Sequence, residues 1–161
     1  SMKVFDIVEL STEIETEPIK IEIKNYDMFL DKIGFRESSN DYKAVNKYGY
    51  MGRYQFGKAT LRGLGYKVNK NEFLNNPELQ DEAMHQLLVH NKKKLKKFIN
   101  RYDGQVVHGI LITESGLLAA AHLAGPGNVK KWIRSGRDFK DGLGTRMTSY
   151  LVQFGDYHLN L

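Results

Sequence analysis

The residues best suited to chemistry lie in one short segment, Phe35-Arg36-Glu37-Ser38-Ser39-Asn40-Asp41. A carboxylate at the C-terminal end of an apolar helix meets the negative end of the helix dipole and partial burial. Both favour its proton-donating form. That is the property of a general acid for cleaving an acetal or glycosidic bond. Asp41 is the nearest second carboxylate and reads as a turn residue. Glu114, in Glu114-Ser115-Gly116, is the rival acid, but Thr113-Glu114-Ser115 reads as a helix start.

Other chemistries lack their residues. There is no cysteine, which excludes disulfides, thiolate metal sites and thiol nucleophiles. The five histidines are His85, His90, His108, His122 and His158. His85 and His90 are not at the i, i+4 spacing that puts two ligands on one helix face, and no HExxH occurs, so the expectation is no metal and no cofactor. Neither a phosphate-cradling glycine loop nor a G-x-S-x-G elbow is present. The lysine run Lys92 to Lys97 is interrupted by Leu95 and followed by Phe98 and Ile99. It reads as the solvated face of an amphipathic helix, not as a specific nucleic-acid surface.

The elements that must position Glu37 can be read from capping and periodicity. Asn25 caps a helix whose apolar positions Met28, Phe29, Leu30 and Ile33 form one stripe, running out near Glu37–Asn40. A polar, glycine-containing loop follows from Asp41 to Gly52. The pattern then predicts a helix over Tyr54–Leu64, stopped at Gly65. Asn76-Pro77-Glu78 announces the longest helix with an N-cap, a first-turn proline and an acid at the positive dipole end. Three shorter helices are expected near Val106–Ile112, Ser115–Ala124 and Thr145–Phe154, with Gly125-Pro126-Gly127 ending the second and Gly155 capping the last. Residues 25–161 thus read as one mainly helical domain without repeats or βαβ alternation. Residues 1–24 read as an acidic extension, where Ile19, Ile21 and Ile23 alternate with charges in the pattern of a strand.

Composition agrees with one folded domain. The 161 residues are 41% hydrophobic and 27% charged, and no stretch is apolar enough for a membrane span. The net charge of +5 conceals a division. Residues 1–31 carry eight acids against three lysines, a net of −5, which leaves +10 on the remainder. A body so basic is attracted to an anionic polymer, whether nucleic acid, membrane surface or bacterial wall.

The motif spacing resembles that of the lytic transglycosylases of the soluble-lytic-transglycosylase type, within the lysozyme-like superfamily. Glu37-Ser38-Ser39 is followed by Ala44 seven residues after the glutamate. The loop ends Gly52-Arg53-Tyr54-Gln55-Phe56, with its glutamine 18 residues after Glu37, and Gly49 and Gly52 match the two loop glycines. Ala120-Ala121-His122-Leu123-Ala124-Gly125-Pro126-Gly127 echoes a third family element, with His122-Leu123 where the family has Tyr-Asn. Arg146-Met147-Thr148-Ser149-Tyr150-Leu151 is a loose echo of a late segment.

This resemblance implies a lysozyme-like helical catalytic domain acting on the glycan strands of peptidoglycan. Glu37 would be the only catalytic acid and base, cutting the bond between N-acetylmuramic acid and N-acetylglucosamine and leaving 1,6-anhydro ends. A hydrolytic lysozyme, or a non-catalytic wall-binding part of a phage tail or secretion system, are the alternatives. Substrate-holding positions would be Ser38, Met51, Tyr54, Gln55, His122 and Tyr150. Among them, Gln55 and the backbone around Met51–Tyr54 suit sugar amides, and Ser38 adjoins the acid. The tyrosines Tyr42, Tyr48, Tyr50 and Tyr54, with Phe56, suit sugar faces or the core. Action in the periplasm or at the cell wall is expected. The first residues lack the apolar core of a signal peptide. Partners beyond the wall would be a cognate inhibitor or the secretion or phage machinery that delivers the domain.

Overall fold

Asn25 starts the first helix by local chemistry alone: its side-chain oxygen accepts the Met28 N–H at 3.0 Å. The computed structural model describes residues 16–19 and 21–161. Helix α1 (Tyr26–Ser38) ends where Ser39 and Asn40 turn left-handed, at φ 56° and 60°. It buries Phe29, Leu30 and Ile33. Two short helices follow, α2 (Lys58–Gly63) and α3 (Lys70–Leu74), and then α4 (Pro77–Tyr102). Asn76 caps α4 by accepting from Leu79 N–H at 3.1 Å, with Pro77 in the first turn. Strands β1 (Val106–Val107) and β2 (Ile110–Leu111) form an antiparallel hairpin. The chain continues through α5 (Glu114–Ala124), α6 (Pro126–Ser135) and α7 (Met147–Gln153). Among the described residues the architecture is therefore mainly helical, as expected, and no helix is long and apolar enough to cross a membrane.

Helix α5 is the centre of the core. It is apolar nearly all round, as a fully enclosed helix must be: Ser115 to Ala121 are all buried. Thr113 caps it through the Gly116 N–H at 3.1 Å. Helices α4, α6 and α7 pack around it. Gly116 permits the close approach of α7, since a Cβ there would lie 2.7 Å from the Leu151 carbonyl oxygen. The Ser115 hydroxyl, buried with its helix, donates to the Phe154 carbonyl at 2.6 Å, so the burial costs no unpaired donor.

Four expectations are corrected. Val106–Ile112 is a hairpin, not a helix. His108 and Gly109 both have positive φ, at 49° and 81°, which is the conformation of a two-residue hairpin turn, and the flanking residues are largely β-branched. The helix expected from Tyr54 begins only at Lys58, because Met51 and Phe56 exchange backbone hydrogen bonds of 2.9 and 2.8 Å across a tight turn. Gly125-Pro126 ends α5 but also starts α6, with the proline at the first helical position. Finally, the alternation at Ile19, Ile21 and Ile23 belongs to no strand among the described residues. These side chains are exposed, and only Lys24 forms an isolated bridge, to Tyr157. Residues 1–15, most of the acidic extension, lie outside the described residues.

Candidate active site

Glu37 occupies the last turn of α1, half-buried at the wall of a groove of about 690 Å³. Gln55, His122, Asp141 and the aromatic rings of Tyr48 and Tyr50 line the same groove. Its two rims meet where the Tyr48 hydroxyl donates to the Gly142 carbonyl at 3.0 Å, 94 residues away in the chain. The groove continues into an adjoining cavity of about 450 Å³ bounded by α2, α4 and the end of α5.

The carboxylate is held from below. The Tyr150 phenol, on α7, donates a hydrogen bond to Glu37 Oε1. Tyr150 is almost wholly buried. Burial, then the neighbouring Glu37 charge, then the hydrogen bond itself push its phenol far above the ordinary tyrosine range, so it remains a donor. The Arg36 guanidinium lies 4.2 Å from the Tyr150 ring centroid and donates to Gln153 Oε1 at 2.6 Å and Ser149 Oγ at 2.8 Å. One residue of α1 thereby ties the helix to α7, and the next presents its carboxyl to the Tyr150 hydroxyl.

The loop that carries Gln55 is fixed by an Arg53 hub. Its guanidinium donates to Asp31 at 2.7 Å, Asp81 at 3.0 Å, Tyr54 at 2.7 Å and Asn40 at 2.9 Å. Gln80, fully buried, accepts from Arg53 N–H at 2.9 Å and donates to the carbonyls of Tyr42 and Phe73. Gly52 is required here. It has φ 79°, and a Cβ would fall 2.2 Å from Gln80 Oε1. Gln55 itself is left-handed at φ 57°, with Nε2 donating to the Gly52 carbonyl at 3.0 Å.

The expected substrate-holding residues divide into those at the groove and those behind it. Gln55 and His122 line it. Ser38, Met51, Tyr54 and Tyr150 do not. The Ser38 hydroxyl is used on the Arg53 carbonyl at 2.8 Å instead of on Glu37. Met51 and Tyr54 are buried in the core, and the Tyr54 hydroxyl donates to Asp81 at 2.6 Å. Their side chains cannot meet a ligand in the groove. Of the clustered aromatics, Phe56 is core and Tyr42 is tied to Asp81 at 2.9 Å, which leaves Tyr48 and Tyr50 for the groove. The rival acid Glu114 sits at the start of α5 in an ion pair with Lys92 at 3.0 Å. Asp41 is exposed and closes a turn by accepting the Lys43 N–H at 2.8 Å.

Asp141 is a groove residue that the sequence does not announce. It belongs to no motif and is brought in by the loop between α6 and α7, where its Oδ1 accepts the N–H groups of Leu143 at 3.0 Å and Thr145 at 2.7 Å. Among the described residues no three His, Asp or Glu side chains converge as metal ligands.

Chemically, the arrangement offers one carboxyl group fixed by a neutral phenol, a second carboxylate in the same groove, an amide from Gln55, and two exposed tyrosine rings. It suits proton transfer to and from an elongated ligand with apolar faces and amide groups. A family model described as the transglycosylase SLT domain matches residues 24–143. No curated protein and no solved structure matches the chain.

Proposed function

The chain belongs to the transglycosylase SLT family, which acts on peptidoglycan, and on that premise we propose that Glu37 alone serves as acid and then base in cutting the glycan strand. Protonated Glu37 donates to the oxygen between N-acetylmuramic acid and N-acetylglucosamine, and the bond from that oxygen to C1 breaks. The carbonyl oxygen of the substrate's own acetamido group bonds to C1 and takes up the positive charge. Glu37, now a carboxylate, accepts the proton of the C6 hydroxyl. O6 then attacks C1, the acetamido oxygen leaves, and a 1,6-anhydro ring closes. Glu37 ends protonated, ready for the next strand. No protein nucleophile is needed, in contrast to the two-carboxylate glycosidases.

The observation that carries this reading is Glu37 at the groove wall, with its Oε1 accepting from the Tyr150 phenol. Tyr48 and Tyr50 suit the faces of successive sugars, and Gln55 and the backbone beside it suit their amides. The substrate lies outside the cytoplasmic membrane, so the site of action is the periplasm or the wall.

Digestion of purified sacculi with product analysis by mass spectrometry tests it. Anhydro-ended fragments are expected from the native chain, and Glu37→Gln should reduce their rate by roughly 10²–10⁴-fold. Asp141 favours one competing reading, since a second groove carboxylate could activate water. Reducing ends in place of anhydro ends, abolished by Asp141→Asn, would establish that hydrolytic course. Undiminished cleavage by Glu37→Gln would remove Glu37 from the chemistry altogether.

A further inference from the structure

The charges of α4 are divided end from end. Its first half carries Glu78, Asp81 and Glu82 and no lysine or arginine. Lys92 to Arg101 then hold six bases and no acid. The helix dipole favours cations in the last turn only, so it does not account for Lys93 or Lys94. Helix α6 adds Lys130, Lys131 and Arg134, again without an acid.

The two sets of cations form one face. Lys130 Nζ lies 5.7 Å, and the Arg134 guanidinium 5.2 Å, from the centroid of the Phe98 ring on α4. Lys94 and Arg101 stand four residues before Phe98 and three after it, on the same side of the helix. Lys93, Lys97 and Arg101 follow one another beside them at i, i+4. Lys130 is partly buried and the others are exposed, and none of them pairs with an acid among the described residues. Like charges at this spacing destabilise a helix, and an ordinary solvated face relieves them with interleaved acids. This one does not. His90 and Pro126 line the cavity that continues the groove, so the face begins one helical turn beyond it and runs on for about 12 Å.

Closely spaced cations on two helices match an anionic chain with a charge every few bonds. Stem peptides do not supply that, since their carboxylates are scattered among amides. The Phe98 and Tyr102 rings pack on each other beneath Lys130, Arg134 and Arg101, so neither is free to enter a bilayer or stack on a base. We propose that this face binds a phosphodiester-linked polyol polymer of the bacterial wall, and so holds the groove against the glycan strands that carry it. The proposal rests on the reading of the groove for its location, the wall.

The test compares walls bearing covalently attached poly(ribitol phosphate) with the same walls stripped by hydrofluoric acid, which breaks phosphodiesters and leaves glycan and stem peptides. Dissociation constants are measured for the full chain carrying Glu37→Gln, alone and with Lys94→Glu, Lys97→Glu and Arg134→Glu together. A matched variant carries Lys32→Glu, Lys67→Glu and Lys70→Glu, at exposed lysines elsewhere on the molecule. The parent should bind the polymer-bearing wall roughly tenfold or more tightly than the stripped one at low salt. The face variant should lose that preference, and its slope of log K against log salt should be shallower by about two, the share of three phosphate contacts. The matched variant has the same net charge and should keep the preference. Glutamine at the three face positions removes charge without adding acids and should act in the same direction. Equal binding to the two walls would assign the face to the stem peptides and overturn the proposal. Equal losses in the two triple variants would reduce the effect to net charge and overturn it as well. So would a face variant that loses affinity for duplex DNA or anionic vesicles but not for the polymer-bearing wall. A chain that binds the polymer yet cuts no strand would overturn the reading of the groove and leave this one standing.

Discussion

Tyr150→Phe removes one oxygen atom and asks whether the phenol positions the Glu37 carboxyl that we propose as the acid. The variant keeps the ring that packs 5.2 Å from Phe154 and lies beneath the Arg36 guanidinium. The Arg36 bonds to Gln153 and Ser149 do not involve the hydroxyl, so α1 and α7 stay joined. What is lost is the hydrogen bond to Glu37 Oε1. A bond to an ionised acceptor is worth about 1.5–3 kcal/mol. Glu37 is only partly buried, so water replaces part of it, and about 1–2 kcal/mol should remain. If that is the energy that keeps the carboxyl in its working rotamer, kcat on purified glycan strands falls about 5–30-fold. KM should change less than about twofold, since Tyr150 is buried behind the groove and does not line it. The melting temperature should fall by about 2–6 °C. A kcat within about twofold of the parent, with the stability loss present, would refute the positioning role. A rise in KM matching the loss of kcat/KM would show that Tyr150 acts on ligand binding instead.

Two further outcomes follow from the geometry around the site. Gly52→Ala should destabilise the chain by about 2–4 kcal/mol, because it adds a left-handed alanine and drives Cβ into Gln80; thermal melting measures this, and a change below about 0.5 kcal/mol would mean that the loop is not pinned by Gln80. Burial raises the Tyr26 phenol to about 12, from an ordinary value near 10. Its neutral form is therefore favoured by folding, so this contribution to stability is intact below about pH 10 and lost as the pH rises to about 12. Denaturant titrations across that range should show stability declining, and Tyr26→Phe should make the decline shallower. A slope unchanged by the substitution would exclude Tyr26 as its source.

Much of the framework is legible because it depends on neighbours in the chain. The Asn25 and Asn76 caps act over three residues, and α1 and α4 begin where they dictate. The enclosure of α5 follows from its run Gly116–Ala121, which carries no polar side chain. The misreadings occur where a short segment has two local solutions. Val106–Ile112 is too short for periodicity to separate helix from strand, and the His108-Gly109 turn decides it. Pro126 serves equally as a stop and as a first helical residue, and the outcome depends on the packing that α6 finds against α4 and α5. Ile19, Ile21 and Ile23 have the rhythm of a strand, yet their side chains stay exposed and among the described residues they pair with no strand.

By itself the sequence determined the acid at the end of α1, the glutamine 18 residues on and the family to which that spacing belongs, because each is a matter of residue type at fixed distance along one chain. The tertiary structure decided everything that depends on direction and on distant partners. Met51 and Tyr54 sit inside the motif, yet they turn into the core while Gln55 beside them faces the groove, since consecutive residues in a tight turn point to different sides. Tyr150 reaches Glu37 across 113 residues, and the loop after α6 brings in Asp141. The unpartnered Asn91 is one more polar residue in a helical pattern until burial removes its water.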